Sequence, residues 1–219
     1  MTDMRGPLRH ILLSAVLLGL FGMVGTALVA GIHALTAERI AANILAVRMR
    51  SLHEVLPPDR HDNDLLADRL EIRDPEWFGK YPVTVYRARR AGRPVAAVFE
   101  VTTPEGYGGP IRLLVGVDMA GRITGVRVLE HHETPGLGDA VDIERSDWVL
   151  GFNGRALGDP PAERFAVRRD GGVFDQFTGA TITPRAVVKA VKRVLLYFQA
   201  HRDSLFAPTG APSDAHQLP

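Results

Sequence analysis

Residues 11–32 form a run of 22 positions without a formal charge, mostly Leu, Val, Ala, Gly and Phe. At 1.5 Å per residue a helix of that length spans roughly 33 Å, enough to cross the hydrocarbon core of a bilayer. The competing reading is a secretory signal peptide, for which Arg5 and Arg9 supply a basic leading region. The run is longer than the usual apolar segment of about 7–15 residues in such peptides. Helix-compatible sequence also continues unbroken from Leu35 to Asn43. A retained membrane anchor over 11–32 is therefore expected, after a short N-terminal segment, 1–10. Gly19, Gly22, Gly25 and Gly31 either let a second membrane helix approach closely or are the ordinary glycine content of a membrane helix. Flanking charge leaves the orientation balanced: Arg5 and Arg9 precede the span, and Arg39, Arg48 and Arg50 follow it.

About 170 residues follow, enough for one domain. The net charge of +1 and the lack of any dense basic run argue against nucleic acid as a partner. The chain has no cysteine, which excludes thiolate-ligated iron–sulfur clusters, zinc–thiolate sites and disulfides within it. Ile40, Ile44, Leu45, Leu52 and Val55 recur at helical spacing until Pro57-Pro58 ends the pattern. Residues 57–80 are polar and read as a linker with short helical pieces, so that 33–80 forms a helical extension and linker. Strand-like runs then follow at 83–86, 95–101, 111–117 and 123–129, separated by Gly- and Pro-containing turns. Short strands joined in this way predict antiparallel hairpins. The last element reads as an amphipathic helix of about five turns. Val187, Val188, Val191, Val194, Leu195 and Phe198 lie on one face, and Arg185, Lys189, Lys192 and Arg193 lie mostly on the other. Thr183 before Pro184 reads as its N-cap, with the proline at the first helical position. The expected class is α+β: one anchor helix, an antiparallel sheet and a C-terminal helix, with the domain over 81–203 and a disordered tail over 204–219.

Chemistry is concentrated just ahead of that last helix. Thr178, Gly179, Ala180, Thr181 and Thr183 stand where unpaired N–H groups and the helix dipole favour a phosphate. Gly179 and Ala180 keep bulk away from the backbone. The plain alternative is a helix cap with threonines filling a loop. Two metal readings are set aside. In His131-His132-Glu133, neighbouring strand residues point to opposite faces. The acidic stretch 59–74 lacks the spaced ligands and central glycine of a calcium loop.

Asp175-x-x-Thr178-Gly179-Ala180-Thr181 resembles the flavinylation signature of the G subunit of the Rnf/Rsx ion-translocating electron transport complex. The related C subunit of the sodium-pumping NADH:quinone reductase shares that signature. Thr134-Pro135-Gly136-Leu137-Gly138 is similar to the family's second flavin-facing loop, and Gly106-Tyr107-Gly108-Gly109-Pro110 to a third segment. The resemblance runs from the anchor through Tyr197. It implies an electron-carrying subunit with one FMN per chain, joined through its phosphate to Thr181 by a dedicated flavin transferase. The ester phosphate keeps a single negative charge, which suits a helix terminus. Thr178, Gly179, Ala180 and Thr183 would surround the linkage. Thr134 would offer a hydroxyl, Leu137 would pack on the ring, Gly136 and Gly138 would permit positive φ and close approach, and Tyr107 would touch the ring. No residue is needed as a general acid or base, and no metal is implied. The implied partners are the other Rnf/Rsx subunits, including the D subunit with its own FMN, in the bacterial inner membrane, with the folded domain periplasmic. A membrane-tethered interaction module without covalent flavin, and a reductase with dissociable flavin, stand as alternatives.

Overall fold

The computed structural model describes residues 5–207, with side chains from residue 12 onward. The chain divides into two compact units at Arg48/Met49. The described residues of the first, 5–48, lie within helix α1, which runs from Arg5 to Val55. Its apolar side chains from Leu12 to Leu35 are exposed, and its apolar stretch is long enough to cross a membrane.

The second unit is built on a five-stranded antiparallel sheet in the order β1-β2-β3-β4-β5. The strands are β1 (Arg69–Ile72), β2 (Val83–Arg90), β3 (Arg93–Thr103), β4 (Ile111–Asp118) and β5 (Ile123–Glu130). The last four follow the strand-like runs read from the sequence; β2 is twice the length of its run, and β3 to β5 are one to four residues longer than theirs. The stretch 57–80 contains the expected short helical pieces, a 3-10 turn at Pro58–Arg60 and α2 (Pro75–Phe78). It also contains β1, which pairs with β2 along the sheet edge, and the fully buried Leu65, so it is structured domain rather than linker.

Strand alternation sends two sets of side chains to two cores. Val85, Phe99, Val101, Leu113 and Val115 face α3 (Ile182–Leu205), which buries Val187, Val188, Val191, Val194, Leu195 and Phe198 against them. Tyr86, Ala88, Ala96, Val98 and Leu114 pack on the opposite side against Leu52, Val55, Leu56 and Leu65. Covering both faces explains why β3 and β4 read as nearly continuous apolar runs. The end of α1 gets close enough because Gly116 and Gly125 lack side chains. A Cβ at Gly116 would lie 2.6 Å from Val55 Cγ1, and one at Gly125 would lie 2.9 Å from Val55 Cα. Burying Leu52, Val55 and Leu56 stabilises this face by about 1.5–3 kcal/mol each.

Between β5 and α3 the chain has no regular strand but a series of 3-10 turns, among them Gly138–Val141 and Asp147–Phe152. An aromatic cluster organises it. Phe152 stacks on Phe174 at 4.5 Å, Phe165 meets Phe174 at 4.8 Å, and Trp148 contacts Phe152 and Phe177, each at 5.2 Å. Trp148 Nε1 donates to the Asp175 carbonyl at 2.8 Å, which holds the segment leading to α3 in place.

Both ends of α3 differ from expectation. The C-terminal boundary at 203/204 falls short, because the helix continues to Leu205 and the side chains of Leu205 and Phe206 are buried. Arg87 donates to the carbonyls of Leu205 and Ala207, and Arg89 to that of Phe206, satisfying groups that a helix end leaves unpaired. Residues 208–219 of the expected tail lie outside the described residues. At the N-terminus Thr181, not Thr183, occupies the capping position, and Pro184 is the third helical residue rather than the first. The proline is tolerated there because N–H groups of the first turn have no intrahelical acceptor in any case.

Candidate functional site

Three loops meet at the start of α3. The β3–β4 loop brings Tyr107, the segment after β5 brings residues 133–138, and the segment before α3 brings residues 179–183. Together they enclose a cavity of about 380 Å³ lined by Tyr107, Glu133, Thr134, Leu137, Gly138, Gly179, Ala180, Thr181, Ile182 and Thr183. That size lies within the roughly 300–1,000 Å³ range of small-molecule sites. A second cavity, of about 330 Å³ and bordered by Met119, Leu195, Phe198 and Arg202, shares no lining residue with it.

The backbone of each loop has a local cause. Leu137 and Gly138 N–H both donate to the Thr134 carbonyl, at 3.1 and 3.2 Å, closing a turn with Pro135 second and Gly136 third. Gly136 has φ +75°, the conformation that position demands in a type II turn. Gly138 differs from expectation in this respect: it does not adopt positive φ and is needed for space. A Cβ there would lie 2.7 Å from Glu133 Oε2 and 2.9 Å from Thr183 Oγ1. Gly179 takes φ +81° within a turn closed by Ala180 N–H on the Phe177 carbonyl at 3.1 Å.

Thr181 sits at the head of α3, and its hydroxyl caps no backbone N–H. The first helical bond runs from Arg185 N–H to the Thr181 carbonyl at 3.3 Å. The N–H groups of Ile182 and Thr183 are thus left without intrahelical acceptors and favour an anion beside Thr181. Arg185 is committed elsewhere, forking onto Asp170 at 2.6 and 2.7 Å. That hydrogen bond holds the Asp170 carboxyl below, and the Arg185 guanidinium above, their ordinary pKa values. Lys189 pairs with Glu105 at 2.6 Å.

The cavity's apolar border is unusually accessible: Tyr107 is 70% exposed, Ile182 46% and Leu137 44%. Its floor is polar and buried. Glu133, only 6% exposed, accepts the Thr183 hydroxyl on Oε2 and the Gly108 N–H on Oε1 at 3.0 Å, and Thr183 is fully buried. An open apolar rim, glycine-thinned walls and a helix terminus beside an uncommitted hydroxyl fit a flat ring carrying a phosphate.

Of the residues singled out in the sequence, Tyr107, Thr134, Leu137, Gly138, Gly179, Ala180, Thr181 and Thr183 line this one cavity, whereas Thr178 and Gly136 do not. Glu133 and Ile182 join them as wall residues that the sequence reading misses. In the sequence Glu133 stands out only beside His131 and His132, as a metal ligand. Its side chain instead turns inward, its own N–H donates to His131 Nδ1 at 3.2 Å, and among the described residues no group of three or more His, Asp or Glu is placed to hold a metal. Ile182 had a legible signal, an apolar residue between two threonines at the helix start.

Residues 106–196 match the FMN-binding domain family and residues 1–55 the RnfG N-terminal region. A Shewanella loihica protein, named as the G subunit of an ion-translocating oxidoreductase complex, is 48% identical over 198 residues, covering 90% of this chain and 93% of that protein. The protein of the same name from Pseudomonas aeruginosa is 48% identical over 204 residues, covering 93% and 95%. That from Yersinia pestis is 47% identical over 184 residues, covering 84% and 88%. With relatives this similar along nearly its whole length, the chain belongs to the family of G subunits of ion-translocating oxidoreductase complexes.

Proposed function

We propose that this chain relays electrons within such a complex through one FMN esterified to Thr181. The observation that carries the reading is the position of Thr181. Its hydroxyl takes no part in capping, it adjoins two unpaired helix N–H groups, and it opens into a cavity rimmed by Tyr107, Leu137 and Ile182.

In the attachment step the Thr181 oxygen forms a bond to the phosphorus of an activated flavin nucleotide. The leaving group on phosphorus departs, the hydroxyl proton is released, and no electron changes hands. A flavin transferase would catalyse the step. The Ile182 and Thr183 N–H groups at the start of α3 would stabilise the remaining negative charge on the phosphate by about 0.3–1 kcal/mol through the terminal dipole. Leu137 and Ile182 would hold the ring by apolar contact, Tyr107 would cover it, and Thr134 would offer a hydroxyl at its edge. Bound FMN supplies one- and two-electron chemistry that no side chain of this chain has. Relay needs no proton donor on the protein, only a fixed ring exposed on one side to a partner.

The long apolar stretch of α1 supports anchorage in the membrane. In this reading the membrane is the bacterial inner membrane, the folded domain is periplasmic, and the D subunit is among the partners. The test is Thr181→Ala in the full chain co-produced with its flavin transferase. The variant should fold and show no in-gel flavin fluorescence, while Thr178→Ala and Thr183→Ala retain some. Fluorescence persisting in Thr181→Ala would rule out this linkage.

A further inference from the structure

Glu133 has a place in the site that neither a metal nor a capping role explains. Its carboxylate is buried, yet both oxygens are engaged, and by different loops: Oε2 by the Thr183 hydroxyl at the start of α3, Oε1 by the Gly108 N–H of the Tyr107 loop. The packing around it is equally demanding. A Cβ on Gly106 would lie 2.8 Å from Glu133 Oε1, one on Gly138 would lie 2.7 Å from Oε2, and one on Gly108 would meet the His132 carbonyl. Three glycines from two loops thus make room for one carboxylate and its neighbouring main chain. Glu133 also directly precedes Thr134, where the turn bearing Leu137 begins.

We propose that Glu133 is a positioning residue for flavin attachment: it joins the Tyr107 loop, the 134–138 turn and the first turn of α3 into the one arrangement that presents the Thr181 hydroxyl to the transferase. The inference rests on Thr181 being the attachment point. Both oxygens accept hydrogen bonds and set a carboxylate in the cavity wall. That carboxylate opposes the addition of an electron to a ring bound there, so its removal should raise the ring's potential. A residue that only stabilised the fold would leave the potential of a correctly attached flavin where it was.

Thr183 is the other half of the device. Two residues beyond Thr181, it transmits the hold of Glu133 to the helix start, and its burial leaves the hydroxyl only a protein partner. Glu133→Gln can keep both contacts, with the amide oxygen accepting from Gly108 and the amide nitrogen donating to the Thr183 oxygen. Glu133→Ala and Thr183→Val cannot keep the bond between the two residues. Thr183→Ser can.

The experiment is a time course of covalent flavin incorporation in the full chain co-produced with its transferase, followed by in-gel fluorescence, with circular dichroism of each variant as the check on folding. Glu133→Ala and Thr183→Val should attach flavin at least about tenfold more slowly than the parent, the scale of losing a buried hydrogen bond to a charged group. Glu133→Gln and Thr183→Ser should recover most of the rate. The Glu133→Ala/Thr183→Val double variant should be little slower than either single one, since both remove the same link. Potentiometric titration of attached Glu133→Gln should give a higher flavin potential than the parent. If Glu133→Ala fails to fold, Thr183→Val against Thr183→Ser carries the test. Parental attachment rates in Thr183→Val, or an unchanged potential in Glu133→Gln, would overturn the proposal. Thr181→Ala run alongside separates the two readings: flavin retained there sinks the attachment site itself, whereas flavin lost there with normal rates in Thr183→Val sinks only the role of Glu133.

Discussion

Replacing Gly138 by alanine adds one methyl group to the most crowded point of the cavity floor. The new Cβ would lie 2.7 Å from Glu133 Oε2, 2.9 Å from Thr183 Oγ1 and 3.0 Å from Glu133 Cβ. None of these is the loose end of an exposed chain, because Glu133 and Thr183 are both buried and bonded to each other. Overpacking of this kind costs about 1–3 kcal/mol, and displacing a hydrogen bond to a carboxylate costs roughly a further 1.5–3 kcal/mol. At roughly 2–4 °C per kcal/mol for a domain of this size, melting should fall by about 5–24 °C. Gly136→Ala is the contrasting control. Nothing lies within 4 Å of its Cβ position, but its φ is +75°. Its cost is therefore backbone strain alone, about 1–2 kcal/mol, and a drop of only about 2–8 °C. Unfolding of the detergent-solubilised full chain, followed by circular dichroism, measures both. Gly138→Ala melting with the parent, or melting above Gly136→Ala, would refute the view that Gly138 is there for space.

Gly125→Ala should loosen the end of α1 from the sheet, because its Cβ meets main-chain atoms of Val55 at 2.9, 3.0 and 3.4 Å. A loss of about 1–3 kcal/mol is expected, and an unchanged melting temperature would contradict this packing. Burial, and secondarily the charge of Asp74, raise the pKa of Tyr197, whose ring packs on Phe78 at 4.9 Å and His201 at 4.2 Å. The folded state thus holds this proton more tightly, so stability is full below the ordinary tyrosine value of 10.0 and is lost as pH rises toward the folded value. Tyr197→Phe should flatten that alkaline loss, and an unaltered alkaline limb would refute it. The sign is opposite for Asp170, lowered by its hydrogen bond from Arg185. Its contribution is present above the unfolded value of 3.8 and disappears as pH falls through the lower folded one, so Asp170→Asn should make acid unfolding less steep.

The parts of the fold that were legible in the sequence are those governed by local periodicity. β2 to β5 showed because apolar runs alternate with Gly- and Pro-containing turns, and the buried face of α3 showed because its valines and Phe198 recur at helical spacing. β1 escaped because a four-residue edge strand that buries little beyond Leu70 and Ile72 carries too little pattern. The segment between β5 and α3 escaped because rings from Trp148, Phe152, Phe165, Phe174 and Phe177 organise it through contacts distant in sequence. The same distance hid Glu133, whose partners lie 25 and 50 residues away. Thr183-Pro184 satisfied the local rule for a helix start, but a buried acceptor took the threonine hydroxyl and moved the cap to Thr181. Motif resemblance drew together most of the residues lining the cavity, yet it left the role of Gly138 to be decided by space rather than by φ.

The most direct measurement is the intact mass of the full chain co-produced with its flavin transferase, followed by peptide mapping after denaturation. A mass gain of one FMN less one water is expected, carried by the peptide that contains Thr181 and absent from Thr181→Ala. An unmodified mass with yellow flavin released into the supernatant, or the added mass on any other peptide, would contradict it.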